Sequence, residues 1–258
     1  MALDAKTLES WKSRIPRRKK GERPFCTAVI VAAGSSQRMG SDKIFAALGG
    51  LPVLVRSVRA FEENELVDEI IVVTREERLE AVAELVKKYE LGKVTKVILG
   101  GKTRVESCLA GVSEADHRAG LIAIHDGARP LVTQAVIREA VRAAEAYYAA
   151  APAVKSTDTL KLVDAEGVVE GTVDRERVCR VQTPQVFHAD LIKGALTEAM
   201  KRQLPVTDDC SAVELLGVKT HTVPGDEDNL KLTTPRDMVV AEAILRERGI
   251  LYARGTRV

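Results

Sequence analysis

The sequence predicts an α/β fold: a mostly parallel, Rossmann-like sheet with helices on both faces and a projecting β-hairpin arm. Two observations point to it. From residue 25 onward, short apolar β-rich runs alternate with longer helical stretches. Short apolar strands separated by helices imply a mostly parallel sheet with helices on both faces. The rhythm then breaks after residue 154, where a stretch without helical period intervenes.

Taken in order, Phe25–Ala32 reads as the first buried strand, and the loop "AAGSSQRMG" follows it. Pro52–Glu62 reads as a helix with proline in its first turn. Glu69–Thr74 ("EIIVVT") is the second strand and Glu76–Tyr89 an amphipathic helix. Val94–Leu99 is the third strand, closed by Gly100 and Gly101, and Thr103–Ala115 is helical. Leu121–His125 is the fourth strand, and Thr133–Ala150 reads as an Ala-rich helix. Strand–helix–strand crossovers of this kind are right-handed and build a parallel sheet.

Residues 155–177 are the exception. Two β-runs, Thr159–Val163 and Val168–Val173, flank a turn at Asp164–Gly167. A hairpin between crossover units does not easily join a parallel sheet, so it is expected to project as an arm. Its apolar face needs cover, which points to dimerisation. Beyond it come "RVQTPQVF", helices at His188–Lys201 and Asp208–Leu216, a strand at Val218–Val223 and a helix from Pro235.

The 258 residues, 45% hydrophobic, suffice for one large core, so 25–258 is expected to be a single domain. Residues 1–24 are polar and basic, with Arg17, Arg18, Lys19 and Lys20 in one run, and are expected to be a flexible solvated tail. Net charge is only +2 and aromatics are 3%, which argues against a nucleic-acid binder. The four cysteines form no C-x-x-C pair, so neither a disulfide framework nor a zinc site is expected. No run reaches the ~18 apolar residues of a membrane span, and no secretory signal is evident. A cytoplasmic location is expected.

In open parallel sheets, ligands sit beyond the carboxyl ends of the strands. The segments there are "AAGSSQRMG", "TRE", "GGKTR" and "HDGARP". The first fits neither the dinucleotide fingerprint nor Walker A, since its only glycines are Gly34 and Gly40. Its small residues, Ala32 to Ser36, still let backbone N–H groups approach an anion. Arg38 adds a planar fork and Lys43 a mobile point charge, which suits a triphosphate.

At this point the motifs reach a resemblance. "VAAGSSQRMGSDKIF", "GGKTRVES", "HDGARP", "STDTLK", "TVDR", "QTPQ", "TDD" and "DNLKLT" occur in one order. The set resembles the cytidylyltransferases of the non-mevalonate isoprenoid pathway, which join CTP to 2-C-methyl-D-erythritol 4-phosphate. The resemblance spans about residues 25 to 248.

The resemblance implies the following roles. Ala32, Ala33, Gly34, Gly101, Ser107, Asp126 and Gly127 would bind the nucleotide. Arg38, Lys43 and Lys231 would supply catalytic charge. Asp126, Arg129, Thr159, Arg175, Thr183 and Thr207 would bind the acceptor, with Thr159 and Arg175 reaching across a homodimer interface from the arm. Mg²⁺ would ride mainly on the CTP phosphates, with no metal cage in the protein. His125 reads as structural. Lys102 departs from the pattern, standing where an acidic residue is common.

Three rival readings compete with it. A ribitol 5-phosphate cytidylyltransferase is similar overall, but "AAG", "DTLK" and "TVDR" favour methylerythritol phosphate. A nucleotide- or nucleic-acid-binding module would rely on the basic tail, and the even charge balance beyond residue 24 argues against it. A fusion to a further enzyme of the pathway would need about another domain's length.

Overall fold

The computed structural model describes residues 23–34 and 43–251. The tail up to residue 22, and Ser35, Ser36 and Arg38 of the phosphate loop, lie outside the described residues. Arg23 and Pro24, read from sequence as tail, are part of the fold. The Arg23 guanidinium donates to both oxygens of Asp68 at 2.7 and 2.6 Å, and Pro24 is buried.

The central sheet has eight strands. Its core is β1 (Phe25–Val31), β4 (Glu69–Thr74), β5 (Val94–Leu99) and β6 (Ala119–Asp126), all mutually parallel, in the order β6-β1-β4-β5. Beyond β6 the sheet continues through β11 (Gln185–His188) to β7 (Ala149–Lys155). β11 is antiparallel to both its neighbours. β10 (Cys179–Val181) pairs antiparallel with β7, and β12 (His221–Pro224) pairs parallel with it. A separate two-stranded ribbon joins β2 (Ala47–Leu48) to β3 (Leu51–Pro52).

Seven α-helices flank the sheet among the described residues: α1 (Val53–Glu62), α2 (Leu79–Lys88), α3 (Arg104–Ser113), α4 (Gln134–Tyr147), α5 (Ala189–Lys201), α6 (Asp209–Leu215) and α7 (Pro235–Glu247). Strand period assigns side chains to two cores. Ala28, Ile30, Leu121 and Ala123 pack with Phe61, Ile137 and Val141 from α1 and α4. Val29, Ile122 and Ile124 pack with Cys108, Val112, Ile192 and Leu196 from α3 and α5. A third cluster seats α7, through Ala241, Ile244 and Leu245, on Leu48, Val53, Leu131 and Leu232. None of these helices is long and apolar enough to cross a membrane.

Three sequence expectations need correction. The Ala-rich helix does not run to Ala150. It ends at Tyr147, Tyr148 turns left-handed (φ 72°), and Ala149–Lys155 is a strand deep in the sheet. Alanine favours helix intrinsically, but burial between β11 and β12 overrides that weak preference. Pro52 is not inside α1. It ends β3 and caps the helix with extended ψ (142°). The helix expected from Glu76 opens as a 3-10 turn over Glu76–Arg78 before α2 begins.

The arm is separate from the main sheet. β8 (Lys161–Val163) and β9 (Val169–Thr172) pair only with each other. Leu162, Val163, Val168 and Val169 are each more than half exposed on it.

Candidate active site

The carboxyl ends of β1, β4, β5 and β6 open into one cleft of about 590 Å³. Ala32, Ala33, Gly34, Lys43, Gly101, Ser107, Asp126 and Lys231 line it together, with Arg75, Lys102, Thr103, Arg104 and Thr233. Segments some 200 residues apart in sequence therefore meet on one rim, as the parallel topology requires. Lys43, Arg75, Lys102, Arg104 and Lys231 are five cations; Asp126 is the one carboxylate among the described lining residues.

Each wall has a local cause. After β5 the chain turns at Gly100 and Gly101. A Cβ on Gly101 would overlap the Glu106 side chain, and one on Gly100 would meet Ser107 Oγ at 2.7 Å and Ala33 Cβ at 2.8 Å. Glycine alone lets this turn lie against α3. Thr103 caps α3 by accepting from Glu106 N–H at 3.1 Å. Glu106 Oε2 in turn accepts from Lys102 N–H at 2.7 Å. Ser107 Oγ accepts from Gly101 N–H at 3.1 Å and donates to Thr103 O at 2.9 Å, so it holds the turn.

Asp126 ends β6 and is 8% exposed. Lys231 Nζ lies 2.9 Å from its Oδ2, Arg129 Nε 3.4 Å from the same oxygen, and Arg104 Nη2 4.0 Å from Oδ1. Burial alone would raise its pKa. Lys231, Arg104 and Arg129 outweigh that and hold it at about 2. Asp126 is thus an anion at neutral pH. Arg104 reaches further, to a bidentate pair with Asp209 at 2.8 and 2.7 Å. Gln185 Oε1 anchors the backbone there by accepting from the N–H groups of Asp209 and Cys210, both at 3.0 Å.

Beneath the cleft lies a buried network around His125. Arg129 O can only accept, so the Nε2 facing it at 3.1 Å carries the imidazole proton. Nδ1 then accepts from Thr183 Oγ1 at 3.0 Å, and Thr183 Oγ1 accepts from Asp126 N–H at 3.1 Å. Burial pushes the imidazole pKa down to about 4, so it is neutral. The segment between β12 and α7 carries Lys231 and is bonded to this network and to Lys43. Arg129 Nη1 donates to Asn229 O at 2.6 Å, Asn229 Nδ2 to Thr183 O at 3.0 Å, and Lys43 Nζ to Leu232 O at 3.2 Å.

The remaining sequence-predicted residues sit apart from the lining. Gly127 is buried behind Ala32 and Leu54. Arg129, expected to face the ligand, instead has its guanidinium turned onto Asp126 and Asn229, because those oxygens are the acceptors within reach in a buried loop. Thr183 is buried under Asp126. Thr207 is exposed beside the α6 cap, donating its N–H to Ser211 Oγ at 3.1 Å. Thr159 and Arg175 are exposed around the arm and are not among the cleft's lining residues. Sequence reasoning missed Arg75, Arg104 and Asp209. The signal for Arg104 was present: it stands in "GGKTR" at a strand's carboxyl end.

Comparison with known proteins agrees with this architecture. The family model for IspD, 2-C-methyl-D-erythritol 4-phosphate cytidylyltransferase, matches residues 26–247. A protein so named from Caldanaerobacter subterraneus subsp. tengcongensis is 44% identical over 224 residues, 86% of this chain and 99% of the relative. Another so named, from Halalkalibacterium halodurans, is 42% identical over 224 residues, 86% of this chain and 97% of the relative. A solved structure of 4-diphosphocytidyl-2C-methyl-D-erythritol synthase from Anaerococcus prevotii superposes with a TM-score of 0.79 at 32% identity, covering 86% of this chain and 96% of that one. A basic cleft at the carboxyl rim of this sheet and a match along nearly all of the described chain lead to one conclusion: the chain belongs to the 2-C-methyl-D-erythritol 4-phosphate cytidylyltransferase family.

Proposed function

We propose that this protein transfers a cytidylyl group from CTP to 2-C-methyl-D-erythritol 4-phosphate and releases pyrophosphate. The observation that carries the reading is the excess of cations over carboxylate in a cleft of this family's fold. A triphosphate and a phosphomonoester together bring the negative charge such a cleft would neutralise.

The acceptor's phosphate oxygen attacks the α-phosphorus in line, an O–P bond forms, and the bond to pyrophosphate breaks. The attacking oxygen is already anionic at neutral pH, so no protein base is needed. Asp126, held ionised, has no proton to give there. What remains for the protein is positioning and stabilisation of charge on phosphoryl oxygens. Lys43, Lys231 and Arg38 are the groups suited to it. Lys231 is tethered to Asp126 and can turn to a phosphate from that tether.

Mg²⁺, when bound, would supply positive charge that offsets the phosphates' negative charge. No cluster of three acidic, His or Cys side chains occurs among the described residues, and Asp126 is the one carboxylate in the cleft lining. Such a donor set fits an ion carried chiefly by the nucleotide, with Asp126 as its protein partner. Thr159 and Arg175 on the arm would complete the acceptor site of a second copy in a cytoplasmic homodimer. Arg175 suits a terminal phosphate through its bidentate fork.

Pyrophosphate release over a panel of nucleotides and sugar phosphates tests the reading. CTP with methylerythritol phosphate and Mg²⁺ should give the highest turnover. Equal or faster turnover with ribitol 5-phosphate would overturn the acceptor assignment.

A further inference from the structure

Two arginines that the roles above do not include bind the carbonyls of the nucleotide loop after β1: Arg75 from the cleft lining and Arg78 from behind it. Arg78 ends the 3-10 turn after β4 and is 7% exposed. Its Nη1 donates to Ala32 O at 3.4 Å and to Gly34 O at 3.1 Å. Arg75, at the start of the same turn, donates from Nε to Ala33 O at 3.0 Å, while its Nη1 pairs with Glu77 at 3.1 Å. Three successive carbonyls are thus bound by two guanidiniums from one short segment. Ala32 N–H is also engaged, on Val73 O at 2.7 Å. The N–H groups of Ala33 and Gly34, by contrast, have no acceptor among the described residues.

A trans peptide unit points its C=O and N–H to opposite edges. Ala32 O is drawn toward Arg78, which does not line the cleft. The N–H in that same peptide unit, that of Ala33, therefore faces away from Arg78. Left to itself, a small-residue loop could equally turn a carbonyl toward the ligand, and a carbonyl repels phosphate. We infer that Arg78, assisted by Arg75, is a positioning residue for the nucleotide. It holds the carbonyls of the loop back so that amide donors, and not carbonyl oxygens, meet CTP. The charge-assisted bonds are stronger than neutral ones and cost nothing to reorganise when ligand arrives.

This inference rests on the reading of the cleft as a CTP site, and the test separates the two. CTP is titrated by calorimetry, with Mg²⁺ and without acceptor, into wild-type protein, Arg78→Met, Arg78→Lys and Arg75→Lys. Acceptor KM is measured at saturating CTP. Arg78→Met should weaken CTP binding about tenfold or more, Arg78→Lys less, with acceptor KM changed by no more than about twofold. A general loss of structure would move both substrates together, and that outcome would overturn the role. So would CTP affinity in Arg78→Met within about twofold of wild type. If Arg78→Met fails to fold, Arg75→Lys keeps the cleft-lining charge but removes the Nε donor to Ala33 O, and so reads the adjacent carbonyl. There, about threefold weaker CTP binding supports the role and unchanged binding overturns it. Wild-type protein that binds no CTP would overturn the functional reading and this inference with it. Wild-type binding with unchanged variants would overturn only the positioning role.

Discussion

At the residue scale, charge and burial divide the labour. Lys43 sits where the nucleotide loop rejoins the fold, bonded to the loop that carries Lys231. Lys43→Ala should lower kcat/KM roughly a hundredfold or more, as loss of a charge used in the transition state does. A near-normal rate in a pyrophosphate assay would remove it from the mechanism. His125 makes a different prediction. Its folded pKa, about 4, lies below the ordinary 6.5, so the unfolded chain binds the extra proton. Stability is therefore fully present above pH 6.5 and is lost as pH falls toward 4, by about 3 kcal/mol. Urea midpoints taken across that window should fall in wild type. In His125→Asn they should start lower and stay flatter; an identical slope would exclude His125 as the source.

At the element scale, strands that precede the site were legible because each is a short run rich in β-branched residues between helical stretches. Glu69–Thr74 and Val94–Leu99 match residue for residue. β7 was not legible, since "AAAPAVK" carries no strand signal of its own and becomes a strand only by packing. In the site, residues on consecutive loops were readable from their place after strands. Asp209 was not, because its partner Arg104 is 105 residues away. The turn into α3 gives an element-level test. Thr103→Ala should cost about 1 kcal/mol in urea unfolding by removing the cap on Glu106 N–H. Weaker CTP binding should accompany it, since Lys102, Arg104 and Ser107 hang on that turn.

At the scale of the whole molecule, the arm leaves four large aliphatic side chains exposed on one small hairpin. Soluble monomers rarely expose contiguous apolar surface of this kind. If a second copy covers it, Val168→Glu with Leu162→Glu should convert a dimer to a monomer in sedimentation velocity. It should also depress acceptor turnover more than CTP binding. A monomeric wild-type protein would remove the arm from the interface.

The reversed strand β11 has a consequence for how the chain is made. β6 emerges from a ribosome long before residues 185–188, which are its partner on that side. Until they arrive, Leu121 to Ile124 present an apolar strand with one ladder edge open, the kind of surface that recruits foreign strands. The same late segment delivers Thr183 to Asp126 N–H. Vectorial synthesis therefore closes the vulnerable edge and seats Thr183 under Asp126 in one event, before Lys231 arrives to finish the rim. Substitutions that weaken β11 should show up first as insoluble nascent protein, ahead of any loss in the activity of the molecules that do fold.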